Sequence, residues 1–188
     1  MKTIFGILFT VASLVCFSAK AQQQKAKFNS KNAIGISIGQ SGSSFLFQTV
    51  NGVSFNKWFY GIGIGADYYN YNSYPLFADI RRYFGKKGKG FAYGDLGYNF
   101  SGNNKPGKEV YYYQSYKFTG GVYTDLGIGY KIKFIGKSFF TLSAGFNYKE
   151  INNKVNIVNE CLIAPCPVDY SNYRYGNGKV VLRAGVDF

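Results

Sequence analysis

Histidine is missing altogether from this sequence, and acids are scarce, with 9 Asp and Glu against 22 Lys and Arg. Without an imidazole the commonest general acid–base is gone, as is the usual activator of a nucleophilic Ser or Cys. Catalysis would rest on carboxylates or lysine alone, so the chain reads as a protein that is not an enzyme, with no catalytic residue and no cofactor. Cysteine occurs only three times; no other soft ligand lies near Cys161 and Cys166, so no metal site is expected. Beyond the first 17 residues no apolar run approaches the length of a membrane helix. Any membrane crossing must therefore be made by strands, which satisfy their backbone polar groups only by closing into a barrel.

What is present begins with an export signal. Lys2 precedes an apolar run from Ile4 to Phe17, and Ala19-Lys20-Ala21 supplies a small-x-small cleavage pattern before Gln22. Residues 1–21 read as a signal peptide, too short to anchor the chain in a bilayer. Val15 stands before Cys16 where lipidation needs a small residue. The remaining chain is one domain, with an N-terminal periplasmic segment at 22–31 and a barrel over 32–188. An exported chain of net charge +13 has little access to nucleic acid, so none is expected as a partner. An anionic membrane or cell-wall surface is the expected one.

Alternation with period two runs through the mature chain. Tyr60, Ile62, Ile64, Ala66 and Tyr68 alternate with Gly61, Gly63, Gly65 and Asp67, a pattern that fits a strand and no helix. It also disposes of the superficial dinucleotide-loop match Gly61-Ile-Gly-Ile-Gly-Ala66, which would need a helix to follow. The same scheme predicts eight strands, at about 32–41, 43–55, 58–70, 75–84, 90–100, 118–133, 138–150 and 178–188. Only Ser44 to Phe55 is ambiguous, because its apolar residues fall on both parities. Connections alternate between short turns near Asn56, Gly85 and Phe134 and, on the other side, two long loops, Asn103 to Tyr116 and Asn152 to Asn177. The fold class is thus all-β: an eight-stranded antiparallel up-and-down transmembrane β-barrel.

The polar row of these strands is rich in glycine, and its charges nearly balance. Asp67, Asp79, Asp95, Asp125 and Asp187 face Arg81, Lys131, Lys133, Lys149 and Arg183. Enclosed charges need partners, whereas solvated ones do not. The polar row is therefore assigned to the lumen, with Asp67, Asp79, Arg81, Asp95, Asp125, Lys131 and Arg183 as a charge network, and the apolar row to lipid. Aromatics such as Trp58, Tyr60, Phe84, Tyr130, Phe140 and Phe188 near the short turns, and Tyr68, Tyr98, Phe100, Phe146 and Tyr148 near the long loops, form the two belts that membrane interfaces select. Asp79, Asp95 and Asp125 as paired catalytic acids is the alternative set against the salt-bridge network.

The segments Asn56-Lys-Trp-Phe-Tyr-Gly-Ile-Gly-Ile-Gly-Ala-Asp-Tyr-Tyr69, Pro75-Leu-Phe-Ala-Asp-Ile-Arg-Arg-Tyr-Phe84 and Leu182-Arg-Ala-Gly-Val-Asp-Phe188 resemble the small outer-membrane β-barrel proteins of the outer-membrane-protein-A/X-like class. The resemblance covers 32–188. It implies a bacterial outer-membrane location, outer-membrane lipids as surroundings, and Phe188 as the terminal signal read by the barrel-assembly machinery, with Arg183 where that signal has glycine. It carries little mechanism, because the architecture hosts several functions.

Three features bear on role. Cys161 and Cys166 lie in the longest predicted loop, where an oxidising compartment favours a disulfide. Lys25, Lys27, Lys31, Lys57, Lys86, Lys87, Lys89 and Lys137 gather at the short-turn end with no acid among the same segments. The long loops hold Tyr111, Tyr112, Tyr113, Tyr116, Tyr170, Tyr173 and Tyr175 among Asn, Ser and Gly, a mixture suited to adaptable recognition. The expected role is structural or surface-interacting, through external loops that meet a surface or cell-wall partner. The alternatives are a narrow pore for ions or small solutes, and a soluble lipocalin-like binding barrel with its apolar row inward.

Overall fold

The computed structural model describes residues 26–102, 114–134, 136, 138–158 and 168–188. Their strands are β1 (Lys27–Gly39), β2 (Gly42–Phe55), β3 (Trp58–Asp67), β4 (Ser73–Phe84), β5 (Gly90–Ser101), β6 (Gln114–Thr119), β7 (Gly121–Lys133), β8 (Phe139–Val158) and β9 (Val168–Asp187). Each pairs antiparallel with its sequence neighbour from β1 to β5; then β5 pairs with β7, β7 with β8, β8 with β9, and β9 returns to β1. β6 continues the line of β7 along the outer half of β8, so the closed wall has eight strands. The eight-strand expectation is met.

Register fixes the shape of the wall. One hydrogen-bonded row runs from Asn29 through Gly52, Gly61, Asp79, Asp95, Asp125, Asn147 and Lys179, and rejoins β1 at Gly39. The row therefore returns ten residues from its start. A stagger of that size tilts the strands by roughly 40° to the barrel axis. Asp79, Asp95, Asp125, Asn147 and Lys179 in this row turn their side chains toward the lumen and are buried there, which is how residues distant in sequence meet.

The strand between β6 and β7 breaks at Gly120. A Cβ there would collide with the Asn99 carbonyl, and the Gly120 carbonyl instead accepts a hydrogen bond from Asn152 Nδ2 at 2.9 Å. The short turn after β2 places Asn56 at φ 56°, a left-handed conformation that asparagine tolerates.

Three boundaries differ from the sequence reading. β1 begins at Lys27, inside the segment read as periplasmic, because β2 is long enough to pair with it through Ser54. The loop read as Asn152 to Asn177 is mostly a hairpin, since β8 runs to Val158 and β9 starts at Val168. The β9 strand carries Asp, Asn, Arg and Tyr over 169–177 with no hydrophobic alternation to mark it, whereas in β8 Ile151, Val155 and Ile157 alternate with Asn152, Lys154 and Asn156. β6 spans Gln114–Thr119, so its first three residues fall in the other predicted long loop. The predicted signal peptide, Tyr111, Tyr112, Tyr113, Cys161 and Cys166 lie outside the described residues.

The alternation resolves into faces of opposite chemistry. Ile62, Leu96 and Ile128 are 67%, 65% and 65% exposed on the outside, while Asp95, Asp125 and Arg183 are 3%, 0% and 7% exposed within. The ambiguous β2 follows one parity: Phe45, Phe47 and Val53 point out, and Leu46, Gln48 and Val50 point in. Val50 packs with Phe59, Phe77 and Tyr123 as an apolar cluster inside the lumen. Gly61 and Gly63 make room for it, as a Cβ on Gly61 would lie 2.8 Å from Phe59 Cε1 and 2.9 Å from Val50 Cγ1. Gly61→Val is expected to overpack this cluster and cost about 1–3 kcal/mol, read as a lowered urea midpoint for the folded barrel in detergent or lipid.

Candidate functional site

The lumen holds the charges in three tiers. At the short-turn end, Asp187 on β9 receives Lys31 Nζ at 2.7 Å and Lys131 Nζ at 2.8 Å. Each ammonium also rests on an aromatic face: Lys31 Nζ lies 4.5 Å from the Phe59 ring centre and Lys131 Nζ 4.2 Å from that of Tyr83. Cation–π contact adds to ion pairing where water is scarce.

The middle tier is built on the row Asp79, Asp95 and Asp125, carried side by side on β4, β5 and β7. Arg81, two residues along β4, forks onto Asp79 with Nε at 3.0 and 2.9 Å and a terminal nitrogen at 2.7 Å. Arg183 reaches from β9 to pair with Asp125 and donates to the Tyr93 hydroxyl at 2.7 Å. Tyr93 in turn donates to Asp125 at 3.1 Å, and Asn147 Nδ2 donates to it at 3.0 Å. Between the two pairs, Asp95 accepts a hydrogen bond from Gln48 Nε2 at 3.0 Å and has no further partner for its other oxygen among the described residues.

At the far end Asp67 pairs with both Lys149, at 3.3 Å, and Lys179. Lys149 also donates to the Tyr71 carbonyl at 3.0 Å and to Ser73 Oγ at 3.1 Å. The Tyr69 backbone N–H caps Asp67 at 2.9 Å. Two small cavities of about 20 and 10 Å³ lie among these luminal side chains, each no larger than one or two waters need.

All seven residues named from sequence for the network thus face the lumen. Asp79 with Arg81 and Asp125 with Arg183 are direct pairs, Lys131 joins Asp187, and Asp67 and Asp95 find other partners. Two placements are corrected. Lys31 belongs to the lumen and not to the basic rim, because β1 starts early enough to carry it beside Asp187. Lys133 is exposed at the wall's end instead of facing inward, since the lumen has already closed at Lys131. Lys179, Gln48, Tyr93 and Asn147 were not singled out by the sequence. Lys179 carried a usable signal, being on the same parity as Arg183; the others are uncharged, and charge was the criterion. Among the described residues there is no group of three or more His, Cys, Asp or Glu arranged to hold a metal ion.

Phe188 lies outward at the end of β9, and its backbone exchanges hydrogen bonds with Ser30, N–H to O at 2.9 Å one way and 3.3 Å the other. Tyr60, Phe84, Tyr130 and Phe188 form an exposed aromatic band at the short-turn end, and Tyr68, Tyr98, Phe100 and Phe146 one at the other. Tyr170, Tyr173 and Tyr175 are exposed on the β8–β9 hairpin.

Fold and lumen together define a closed, eight-stranded antiparallel β-barrel with an aliphatic exterior and an ionic interior. It is similar to the solved structure of Neisserial surface protein A, at 14% identity and a TM-score of 0.41, over 87% of this chain and 97% of that one. It is also similar to outer membrane protein AlkL determined in lipid bilayers, at 11% identity and a TM-score of 0.43, over 87% of each chain. No protein-family model and no curated protein sequence matches the chain.

The pairing of Arg183 with Asp125 makes a two-sided test. Arg183→Ala leaves a buried carboxylate without its cation and is expected to destabilise the barrel by about 3–5 kcal/mol. Combining it with Asp125→Leu is expected to recover most of the loss, measured by urea unfolding in lipid vesicles. An additive double variant would show the two residues to act independently.

Proposed function

We propose that this chain is a bacterial outer-membrane barrel that acts as a closed, stable platform, presenting its β8–β9 hairpin to a partner at the cell surface. The observation that carries the reading is the inverted exposure of the wall, aliphatic outside and ionic inside. In water that arrangement would waste every outward Ile and Leu; in a bilayer it is the stable one. Short turns then face the periplasm, and the long hairpin, with Tyr170, Tyr173, Arg174 and Tyr175 exposed, faces out. Tyrosine offers large rigid contact area at low entropic cost.

The lumen reads as closed by its ion pairs together with the Val50, Phe59, Phe77 and Tyr123 cluster. An eight-stranded wall is narrow enough for side chains to fill it, and the small cavities support a plug over a conduit. A soluble binding barrel would need the apolar row around an internal cavity, and the apolar rows lie outside. The role is read as non-catalytic, on the absence of histidine and of any open luminal cleft among the described residues. Cys161 and Cys166 are read as a disulfide closing the hairpin, and Phe188 as the assembly signal.

Placement is tested by fractionation: the processed protein should require detergent for release and migrate faster on gels before heating than after. Release into buffer would overturn the membrane reading. Closure is tested in planar bilayers, where the wild type should carry no steady current and the double variant Arg81→Ala, Arg183→Ala should carry one. A steady wild-type conductance would favour the narrow pore instead. Intact mass should show the processed chain lighter by a pair of hydrogens without reductant than with it.

A further inference from the structure

The outer wall is not uniform. A trough of about 850 Å³ crosses it obliquely from Phe45 on β2 to Phe84 and Gly90 at the β4–β5 turn. Its floor follows from register: Ala144 lies opposite Leu182 and Ile128, and Ala184 opposite Leu142 and Ile34. Each small residue is flanked across the sheet by large ones, so the wall is dished along this line. The trough is almost wholly apolar and of the size that small-molecule sites have.

Its lower end opens onto positive charge. Lys86, Lys87 and Lys89 form the turn between Phe84 and Gly90, and with Lys57, Arg82 and Lys133 they are exposed at the short-turn end. No Asp or Glu is exposed there among the described residues, since Asp187 is buried on its own cations. Arg82 is the telling member. It shares the outward row of β4 with Ile80 and Phe84, its guanidinium lies 5.3 Å from the Trp58 ring centre, and it makes no ion pair among the described residues. Its cross-strand neighbour Ala92 is opposite Ile128, which lines the trough. An arginine on the lipid-facing row, at the level of the aromatic band, is placed to fork onto a phosphate.

We infer that this face holds an anionic phospholipid of the periplasmic leaflet, its phosphate on Arg82 and the Lys86–Lys89 turn and an acyl chain along the trough. A second copy of the chain is a poorer occupant, because it would bring one unpaired cationic collar against another. The inference rests on the membrane placement proposed above.

The test uses native mass spectrometry of the processed chain released from bilayer discs of equal phosphatidylglycerol and phosphatidylcholine. Insertion is checked separately by heat-modifiable mobility. The wild type should retain phosphatidylglycerol over phosphatidylcholine by about fivefold or more for each basic contact made. Arg82→Gln with Lys89→Gln should lower the ratio by about fivefold for each contact removed. Ala184→Phe, which fills the trough from the lipid side, should reduce retention of both lipids. Equal retention by an inserted wild type, an unchanged ratio in the Arg82→Gln, Lys89→Gln variant, or a dimer in place of a lipid adduct would overturn the site and leave the membrane placement standing. Failure of the wild type to insert would overturn both.

Discussion

A sheet with aliphatic residues on one face and ions on the other is stable in a bilayer only if it closes, and closure depends on β1 meeting β9. The seam is held by register, with Lys31 opposite Asp187, by the paired backbone bonds of Ser30 and Phe188, and by the Lys31–Asp187 ion pair itself. An open edge there would expose a column of unpaired backbone groups to acyl chains, each costing several kcal/mol. Once the seam closes, the inner row has no solvent to fall back on. The six cations Lys31, Arg81, Lys131, Lys149, Lys179 and Arg183 find their counter-ions on four of the five luminal aspartates, and the fifth, Asp95, is held by Gln48.

These pairs contribute more to uniqueness than to stability. Buried ion pairs roughly offset their own desolvation, yet breaking one is costly. Slipping β4 by a single residue would turn Asp79 and Arg81 outward and Ile80 into the lumen. The row joining Asp79, Asp95, Asp125, Asn147 and Lys179 makes such a slip costly on five strands at once. The apolar cluster around Phe59 and Phe77 lies where Gly61 and Gly63 leave space, so ionic and aromatic side chains share one narrow tube.

Much of this was legible in the sequence, for a physical reason. Where a strand separates lipid from an enclosed lumen, the chemistry of alternate residues must differ, and Tyr60 to Tyr68 or Tyr130 to Lys133 display that difference directly. Legibility failed where the two sides become alike. In β9, Asp169 to Asn177 is polar on both faces, so period two loses its hydrophobic label there although the strand persists; in β8 the label continues, with Ile151 and Val155 buried and Lys154 exposed. β2 was ambiguous because Leu46 and Val50 are apolar residues needed inside the lumen. Lys31 was misplaced because its role depends on how far β2 extends, which is a property of the partner strand. Arg82 was overlooked because a lone basic residue in an apolar row carries no periodicity of its own.

The hairpin of β8 and β9 has a mechanical consequence. Its strands stay paired from Glu150 with Gly176 to Val158 with Val168, after β1 and β7 have left them, which makes a stiff arm of roughly 25 Å at about 3.3 Å per residue. Among the described strands, β6 pairs along one side of it. Any pull at the tip therefore acts with leverage on the foot of the arm, where Lys149 and Lys179 are both clamped by Asp67 from β3. That clamp works as a bracket, spreading torque from two strands into the opposite wall before it can prise the cylinder apart.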